Sequence, residues 1–205
     1  MFTGIIETRG TITALAPSPA GLRLEISPSP WAYQPKLGDS IACNGCCLTV
    51  AATPSGGRLA FDAVPETLAK TTVGLWTVGQ RIHLEPAATA STLLGGHMVQ
   101  GHIDGIGTVL ANGTLGTAAG GWRLTIRPPA DLLPYFVPKG SVAIDGVSLT
   151  LAEVTPTDFA IAIIPTTLDK THLGTLRPGD KVNLEADIIA KTIVHYMQHF
   201  AARPG

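Results

Sequence analysis

The chain carries the same text twice. Met1-Phe2-Thr3-Gly4-Ile5-Ile6 is echoed 97 positions later by Met98-Val99-Gln100-Gly101-His102-Ile103. Ser40-Ile41-Ala42-Cys43-Asn44-Gly45-Cys46-Cys47-Leu48-Thr49-Val50 returns 101 positions on as Ser141-Val142-Ala143-Ile144-Asp145-Gly146-Val147-Ser148-Leu149-Thr150-Leu151. Val64-Pro65-Glu66-Thr67-Leu68-Ala69-Lys70-Thr71 returns 100 on as Ile164-Pro165-Thr166-Thr167-Leu168-Asp169-Lys170-Thr171. The order is kept, and the offset drifts by small loop changes. A period of about 100 residues is far longer than a solenoid repeat, so each copy is a whole domain. Two like domains in one chain can hold two copies of one ligand. Where the copies differ, one can carry chemistry that the other lacks.

Within each copy, short β-branched and apolar runs alternate with Pro, Gly, Ser and Asp breaks. The runs cover residues 11–16, 22–26, 40–51, 58–64 and 81–84, then 108–110, 122–126, 141–153, 159–164 and 181–184. Breaks such as Pro17-Ser18-Pro19, Lys36-Leu37-Gly38-Asp39 and Pro54-Ser55-Gly56-Gly57 are turn chemistry. Leu22-Arg23-Leu24-Glu25-Ile26 alternates apolar and polar, the period of a half-buried strand. About six strands per copy, closed by a helical turn at Pro65 or Pro165, predict a small antiparallel barrel from each half. Residues 111–121, glycine interleaved with Ala and Thr, are expected to form a loop. Neither a G-x-x-x-x-G-K-[ST] phosphate loop nor a strand-bounded G-x-G-x-x-G occurs.

The end of the chain has no counterpart between the halves. Asp187 is placed to cap a helix over residues 188–202. Ile189, Ile193, Met197 and Phe200 fall on one stripe of it. Such a stripe either lies on its own barrel or joins chains together; the second is favoured because both barrels are complete without it. The expected units are therefore residues 1–97, 98–187 and an oligomerisation helix over 188–205.

Hydrophobic residues make up 45% of the chain but aromatics only 5%, so the cores must be built mainly of Val, Ile, Leu and Ala. The formal net charge is −1 and Lys and Arg are not clustered, which argues against nucleic-acid binding. No apolar run nears the roughly 20 residues of a membrane span. Met1-Phe2-Thr3-Gly4 lacks a basic start and an apolar h-region, and the three cysteines crowd positions 43, 46 and 47. An odd, clustered set is a poor disulfide framework, so reduced thiols and a cytoplasmic location are expected.

Cys43-x-x-Cys46-Cys47 and His97-x4-His102 superficially offer a zinc set. Zinc knuckles or helices are not what surrounds these cysteines, and the second copy replaces all three with Ile144, Val147 and Ser148. No metal is expected. Cys43 and Cys46 then read as small core hydrophobes. Cys47 and Ser148 are two potential nucleophiles at one matched position; the plain alternative for Cys47 is a buried structural thiol. His97 and His102 follow glycines at the junction of the halves, and His102 stands where the first copy has Ile5. Histidine works as acid or base near neutral pH, although a lone histidine is more often a packing residue. His83, His172, His195 and His199 read as surface or packing residues.

A candidate ligand shell also recurs. Gly4-Ile5-Ile6, Leu48-Thr49 and residues 62–67, with Asp62 and Thr67, return as Gly101-His102-Ile103, Leu149-Thr150 and residues 162–167, with Thr167. Strand backbone and threonine hydroxyls suit the polar edge of a flat heterocycle and a polyol tail, with Ile6 and Leu48 covering its faces. Plain repeat scaffolding is the competing explanation for any one of them.

Met1-Phe2-Thr3-Gly4-Ile5-Ile6, Asn44-Gly45-Cys46-Cys47-Leu48-Thr49-Val50, Gly95-Gly96-His97, Gly101-His102-Ile103, Ile144-Asp145-Gly146-Val147-Ser148-Leu149-Thr150 and Val182-Asn183-Leu184-Glu185 together resemble the riboflavin synthase alpha-chain family. The resemblance spans essentially the whole chain. It implies an all-β fold of two tandem six-stranded antiparallel Greek-key barrels, related by a pseudo-twofold axis, with a C-terminal helix that gathers a homotrimer. It implies dismutation of two 6,7-dimethyl-8-ribityllumazine molecules: one gives a four-carbon unit to the other, yielding riboflavin and 5-amino-6-ribitylaminouracil. No cofactor or metal is implied, and lumazine synthase is a further expected partner.

Carried over by position, Cys47 and Ser148 are candidate nucleophiles or substrate-polarising groups. His102 is the candidate base, with His97 and Ser40 nearby. Thr49, Thr150, Lys139 and Asp187 would orient substrate, and Phe2 with Gly4, Ile5 and Ile6 would line the first barrel's pocket. Pro165-Thr166-Thr167 departs from the family's Pro-His-Thr. A non-catalytic lumazine or flavin-binding protein of the same fold is the alternative; such proteins typically lose the reactive set that this chain keeps.

Overall fold

The computed structural model describes residues 1–115 and 121–201. The apolar-polar alternation folds as strands β1 (Thr8–Ser18), β2 (Gly21–Pro28), β3 (Ser40–Cys43), β4 (Cys46–Ala52), β5 (Leu59–Ala63) and β6 (Arg81–Pro86). The second copy gives β7 (Gly105–Thr114), β8 (Trp122–Arg127), β9 (Ser141–Ile144), β10 (Val147–Val154), β11 (Phe159–Ile163) and β12 (Lys181–Ala186). The first set closes in the order β1-β2-β5-β4-β3-β6 and the second in the equivalent order β7-β8-β11-β10-β9-β12. All the pairings are antiparallel. Closure leaves neither barrel with an open sheet edge.

The long runs at 40–51 and 141–153 are each two strands. Asn44 and Gly45 have φ of 43° and 79°, and Asp145 and Gly146 have 45° and 80°. A two-residue hairpin with both φ positive demands Asn-Gly or Asp-Gly, and that turn supplies the sixth strand of each barrel. The two hairpin tips also meet. A Cβ built on Gly45 would lie 2.6 Å from the Gly146 nitrogen, and one on Gly146 would lie 2.7 Å from the Gly45 nitrogen. Only glycine lets the two backbones come this close.

Polar groups seal the contact. The Asn44 side chain accepts the His83 N–H at 2.7 Å, and the Asn183 side-chain amide donates to the Asn44 carbonyl at 2.8 Å. Asp145 accepts the Asn183 N–H at 2.8 Å. His83 Nε2 accepts the His172 N–H at 2.9 Å, so its proton sits on Nδ1, which donates to the Asp145 carbonyl at 2.9 Å. The His83 and His172 rings stack with centroids 3.9 Å apart. His83 is fully buried, so of the two expectations, surface or packing, packing holds: both histidines pack between the barrels. The orphan backbone groups of the two hairpins explain why polar rings sit there.

Each barrel has its own core. Leu24, Ile26, Ile41, Phe61, Ile82 and Leu84 fill the first; Leu124, Ile126, Ile144, Phe159, Ile161 and Leu184 fill the second. Burying each such side chain stabilises by about 1.5–3 kcal/mol. Cys43 and Cys46 lie inside the first core, where Ile144 and Val147 lie in the second.

The segments that precede β1 and β7 change sides. Phe2 and Val99 pair with each other, N–H to carbonyl at 2.6 and 3.1 Å. Beyond them, the first leader runs along the second barrel: the Ser148 N–H donates to the Gly4 carbonyl at 2.8 Å, and Ile6 sits in the second core. The second leader runs along the first barrel: the Cys47 N–H donates to the Gly101 carbonyl at 2.9 Å, and Ile103 packs on the first core.

Short helices α1 (Pro65–Lys70) and α2 (Pro165–Lys170) start on proline, whose missing N–H is no loss there. Helix α3 (Ile188–His199) is capped by Asp187, which accepts the Ile189 N–H at 2.8 Å. It is tethered by the Lys191–Asp104 ion pair at 2.8 Å. It ends short of the expected residue 202, which lies outside the described residues. Ile189, Ile193, Met197 and Phe200 are 53%, 54%, 64% and 66% exposed, so the stripe is not laid on its own barrel. Strand β7 takes residues 111–114 out of the expected loop, because they pair with β8; residues 116–120 of that loop lie outside the described residues. Among the described residues no helix is long and apolar enough to cross a membrane.

Candidate functional site

Strand alternation decides what β4 and β10 offer outward. Cys46, Leu48 and Val50 point into the first barrel, leaving Cys47 half-buried and Thr49 exposed. Val147, Leu149 and Leu151 point into the second, leaving Ser148 half-buried and Thr150 exposed. Cross-strand partners extend both ledges: Ser40 faces Thr49 and Ala42 faces Cys47, as Ser141 faces Thr150 and Ala143 faces Ser148. A nucleophilic side chain and a threonine hydroxyl therefore stand two residues apart on each barrel wall.

The crossed leaders roof these ledges. A Cβ built on Gly101 would lie 2.6 Å from the Cys47 Cβ, and one on Gly4 would lie 2.5 Å from the Ser148 Cβ. Both glycines have positive φ, 79° and 77°. Any side chain here would strike the nucleophile position. Gly4, Ile5 and Ile6 thus belong beside the second barrel, which corrects the expectation that they line the first.

His97 reaches only one copy. It lies on the link between the barrels, directly ahead of Met98, which opens the second copy. His97 Nδ1 and Ser148 Oγ are 2.7 Å apart. The His97 N–H donates to the Thr3 carbonyl at 3.2 Å. Gly96 makes room: a Cβ on it would lie 2.2 Å from the Thr3 oxygen and 2.8 Å from Ser148 Oγ. Burial holds the His97 pKa below its ordinary value, and the Asp187 carboxylate pulls partly the other way. A neutral imidazole accepts the serine proton at Nδ1 and carries its own on Nε2, a buried nitrogen without a partner among the described residues. Burial raises the Cys43 and Cys46 thiols, Cys46 to about 12, so neither supplies a thiolate at neutral pH.

The remaining expected residues divide into two groups. His102 and Ile5 are exposed beside their leader glycines; Ser40 is half-buried, and Lys139 is exposed at the turn before β9. Lys139 holds a positive φ of 69° while its N–H donates to the Leu151 carbonyl. Thr67 and Thr167 are half-buried, and their carbonyls accept the hydroxyls of Thr71 and Thr171. Asp62 faces outward but is bound in a two-pronged ion pair with Arg23 at 2.6 and 2.7 Å, which lowers its pKa. Phe2 is fully buried between the barrels against Ala42, Val99 and Ala143, so it lines no ledge. Ile6, Leu48 and Leu149 are core side chains, so their backbones alone face the ledges and they cannot cover a ligand's faces. In β4 the even-numbered positions point inward and in β10 the odd-numbered ones, which is why.

Two residues escaped the sequence reading. Glu85 accepts the Thr3 N–H at 2.6 Å, the Thr3 hydroxyl at 2.7 Å and the Gly4 N–H at 3.0 Å. Glu185 accepts the Gln100 N–H at 2.6 Å and the Gly101 N–H at 2.9 Å. They are 4% and 1% exposed. Burial pushes both carboxyls up, Glu185 to about 7, and the amide hydrogen bonds hold the rise back. The signal was an acidic residue kept at one matched position, near the end of two matched strands.

Two joined barrels, each offering a nucleophile and a hydroxyl beneath a glycine-bearing leader, define a protein built to bind two like ligands. The family described as "Lumazine binding domain" matches residues 3–87 and again 100–187, once per barrel. The chain belongs to the riboflavin synthase family of lumazine-binding proteins. It is 39% identical over 194 residues to a riboflavin synthase of Photobacterium phosphoreum, covering 94% of this chain and 87% of the relative. It is 38% identical over 202 residues to one of Mycobacterium bovis, covering 97% and 98%. A solved structure of LumP complexed with riboflavin superposes with a TM-score of 0.79 at 29% identity, covering 91% of this chain and 99% of that one. LumP complexed with 6,7-dimethyl-8-(1'-D-ribityl) lumazine gives 0.78 at 27%, over the same shares.

The Glu185 shift fixes a pH dependence. Its folded pKa of about 7 exceeds its ordinary 4.5, so between these values the folded chain holds a proton that the unfolded chain has released. Stability from this group is full below pH 4.5 and falls by about 3 kcal/mol as pH rises through 7. The expected outcome is a difference in unfolding free energy, wild type minus Glu185→Gln, that declines over that window in denaturant titrations. A flat difference contradicts it.

Proposed function

We propose that this chain catalyses the riboflavin synthase reaction, the dismutation of two 6,7-dimethyl-8-ribityllumazine molecules into riboflavin and 5-amino-6-ribitylaminouracil. The observation that carries the reading is the matched pair of ledges, Cys47–Thr49 and Ser148–Thr150, of which only the second is wired to a histidine. Two ledges suit two molecules of one compound. Unequal chemistry suits a reaction in which one molecule gives and the other receives.

In this reading the 1–97 and 98–187 units bind one lumazine each. Leader and strand backbone meet the polar edge of the ring, while Thr49, Thr67, Thr150, Thr167, Ser40 and Lys139 hold the ribityl tail. Neutral His97 draws the proton from Ser148, whose oxygen adds to or polarises one ring. Cys47, which has no such histidine, polarises the other ring through its S–H, and exposed His102 takes the acidic methyl proton. Asp187 keeps a negative charge near His97 while capping α3. Placing two large rings in opposed orientation accounts for much of the acceleration, since effective molarities of about 10⁵ M or more follow from correct positioning. Thr166 is exposed at the start of α2, and the departure at that position is expected to alter one helix-start contact without abolishing activity. The protein acts in the cytoplasm, and lumazine synthase is proposed as a partner because it would supply the substrate.

The exposed stripe on α3 supports assembly into a homotrimer, with the site formed between one chain's first barrel and its neighbour's second. Deleting residues 188–205 is expected to yield monomers in sedimentation velocity; trimers after the deletion contradict this.

The similarity to LumP favours a second reading, binding without turnover. Incubation with 6,7-dimethyl-8-ribityllumazine alone separates the two. The enzyme reading expects riboflavin to form at half the rate of lumazine loss, with kcat falling about 10²-fold or more in His97→Ala. Tight binding without riboflavin would establish the second reading.

A further inference from the structure

We propose that Glu85 and Glu185 are positioning residues that act across the barrel boundary, each belonging to one barrel and setting the reactive position of the other. The inference rests on the two-site enzyme reading and deepens it, by naming what holds each site in place.

The contacts form two crossed chains. Glu85 stands on β6 of the first barrel and grips Thr3 and Gly4 through three hydrogen bonds of 2.6–3.0 Å. The Gly4 carbonyl then takes the Ser148 N–H, and the Thr3 carbonyl takes the His97 N–H, both on the second barrel's side. Glu185 stands on β12 of the second barrel and grips Gln100 and Gly101 at 2.6 and 2.9 Å. The Gly101 carbonyl takes the Cys47 N–H on the first barrel. One leader glycine, held by two successive hydrogen bonds, therefore separates each carboxylate from the nucleophile position of the opposite barrel.

Several observations make the clamps more than scaffolding. Hydrogen bonds to a carboxylate are about twice as strong as neutral ones, and here they bind backbone that is outside either barrel's strands. The backbone pairing of Phe2 with Val99 is symmetric, so it cannot favour one site over the other. The leader glycines already touch Cys47 and Ser148, and Thr3 touches Gly96. A leader that shifts must therefore uncover or displace the reacting side chain, and misplacement by about 1 Å costs about 10²-fold in rate. A glutamine in place of either glutamate would turn one accepting oxygen into an amide that faces a backbone donor.

The test compares Glu85→Gln with Glu185→Gln in the full chain without substrate, with alkylation at pH 8 and the histidine followed across pH, so that its outcome is independent of turnover. One probe is the alkylation rate of Cys47 by iodoacetamide, followed by mass spectrometry, with buried Cys43 and Cys46 as controls for global opening. The other is the NMR titration of the His97 imidazole. The crossed arrangement predicts that Glu185→Gln, on the second barrel, speeds Cys47 alkylation about tenfold, the equivalent of 1.4 kcal/mol. Glu85→Gln, on the same barrel as Cys47, leaves that rate unchanged. Conversely, Glu85→Gln moves the His97 titration up toward its ordinary value, and Glu185→Gln does not. Any other pattern overturns the proposal: each variant affecting its own barrel's probe, both affecting both, or neither affecting either.

Amide hydrogen exchange in the unaltered chain keeps the test open if a variant fails to fold. The Cys47 N–H should open with those of Gln100 and Gly101, and the Ser148 N–H with those of Thr3 and Gly4. If instead Cys47 and Ser148 exchange together with their own strand neighbours, the proposal fails.

Discussion

Glu85 and Glu185 are two buried carboxylates that hold the leaders on which everything else depends. Burying a carboxyl without partners would be costly, and each is compensated by the amides of a leader that has no strand of its own to pair with. The same bonds satisfy the leader's donors. Once a leader is fixed, its glycine presses on Cys47 or Ser148, and its isoleucine enters the far barrel's core. Site geometry and barrel packing are consequences of one exchange. Two separately stable barrels would not by themselves need it, since each closes its own sheet.

The exchange is symmetric, and the chemistry is not. The hairpins Asn44-Gly45 and Asp145-Gly146 match, as do the two clamps and the two ledges. Asymmetry enters on the link between the barrels, just ahead of the second leader. That link brings His97 to Ser148 at 2.7 Å, while Cys47 has no such histidine in its matched place. A symmetric frame with one unmatched base is what a reaction between two identical molecules needs when one must behave unlike the other.

Much of this was legible before any coordinates. The duplication predicted two barrels, and the matching of the two copies paired Cys47 with Ser148 and Thr49 with Thr150. The sixth strand could have been called from Asn44-Gly45 and Asp145-Gly146, which are strong hairpin signals inside apolar runs. What the sequence could not show is which half a segment touches. Gly4-Ile5-Ile6 reads as part of the first copy because it stands at its head, yet tertiary pairing carries it to the second. Local pattern contains no term for that choice. Phe2 was misplaced for the same reason, and His83 was left open between surface and packing: burial between two domains leaves no periodic trace. Glu85 and Glu185 stand just past the apolar runs 81–84 and 181–184, and only the leaders lying over them reveal their use.

The central claim is that each barrel wall, roofed by the opposite leader, holds one lumazine. A crystal structure of the chain soaked with 6,7-dimethyl-8-ribityllumazine tests it most directly. The account predicts two molecules per chain, one against Cys47, Thr49 and the Gly101 backbone, the other against Ser148, Thr150 and the Gly4 backbone. A single molecule per chain, or molecules seated in the polar cleft between the barrels beside Arg9 and His172, would contradict it.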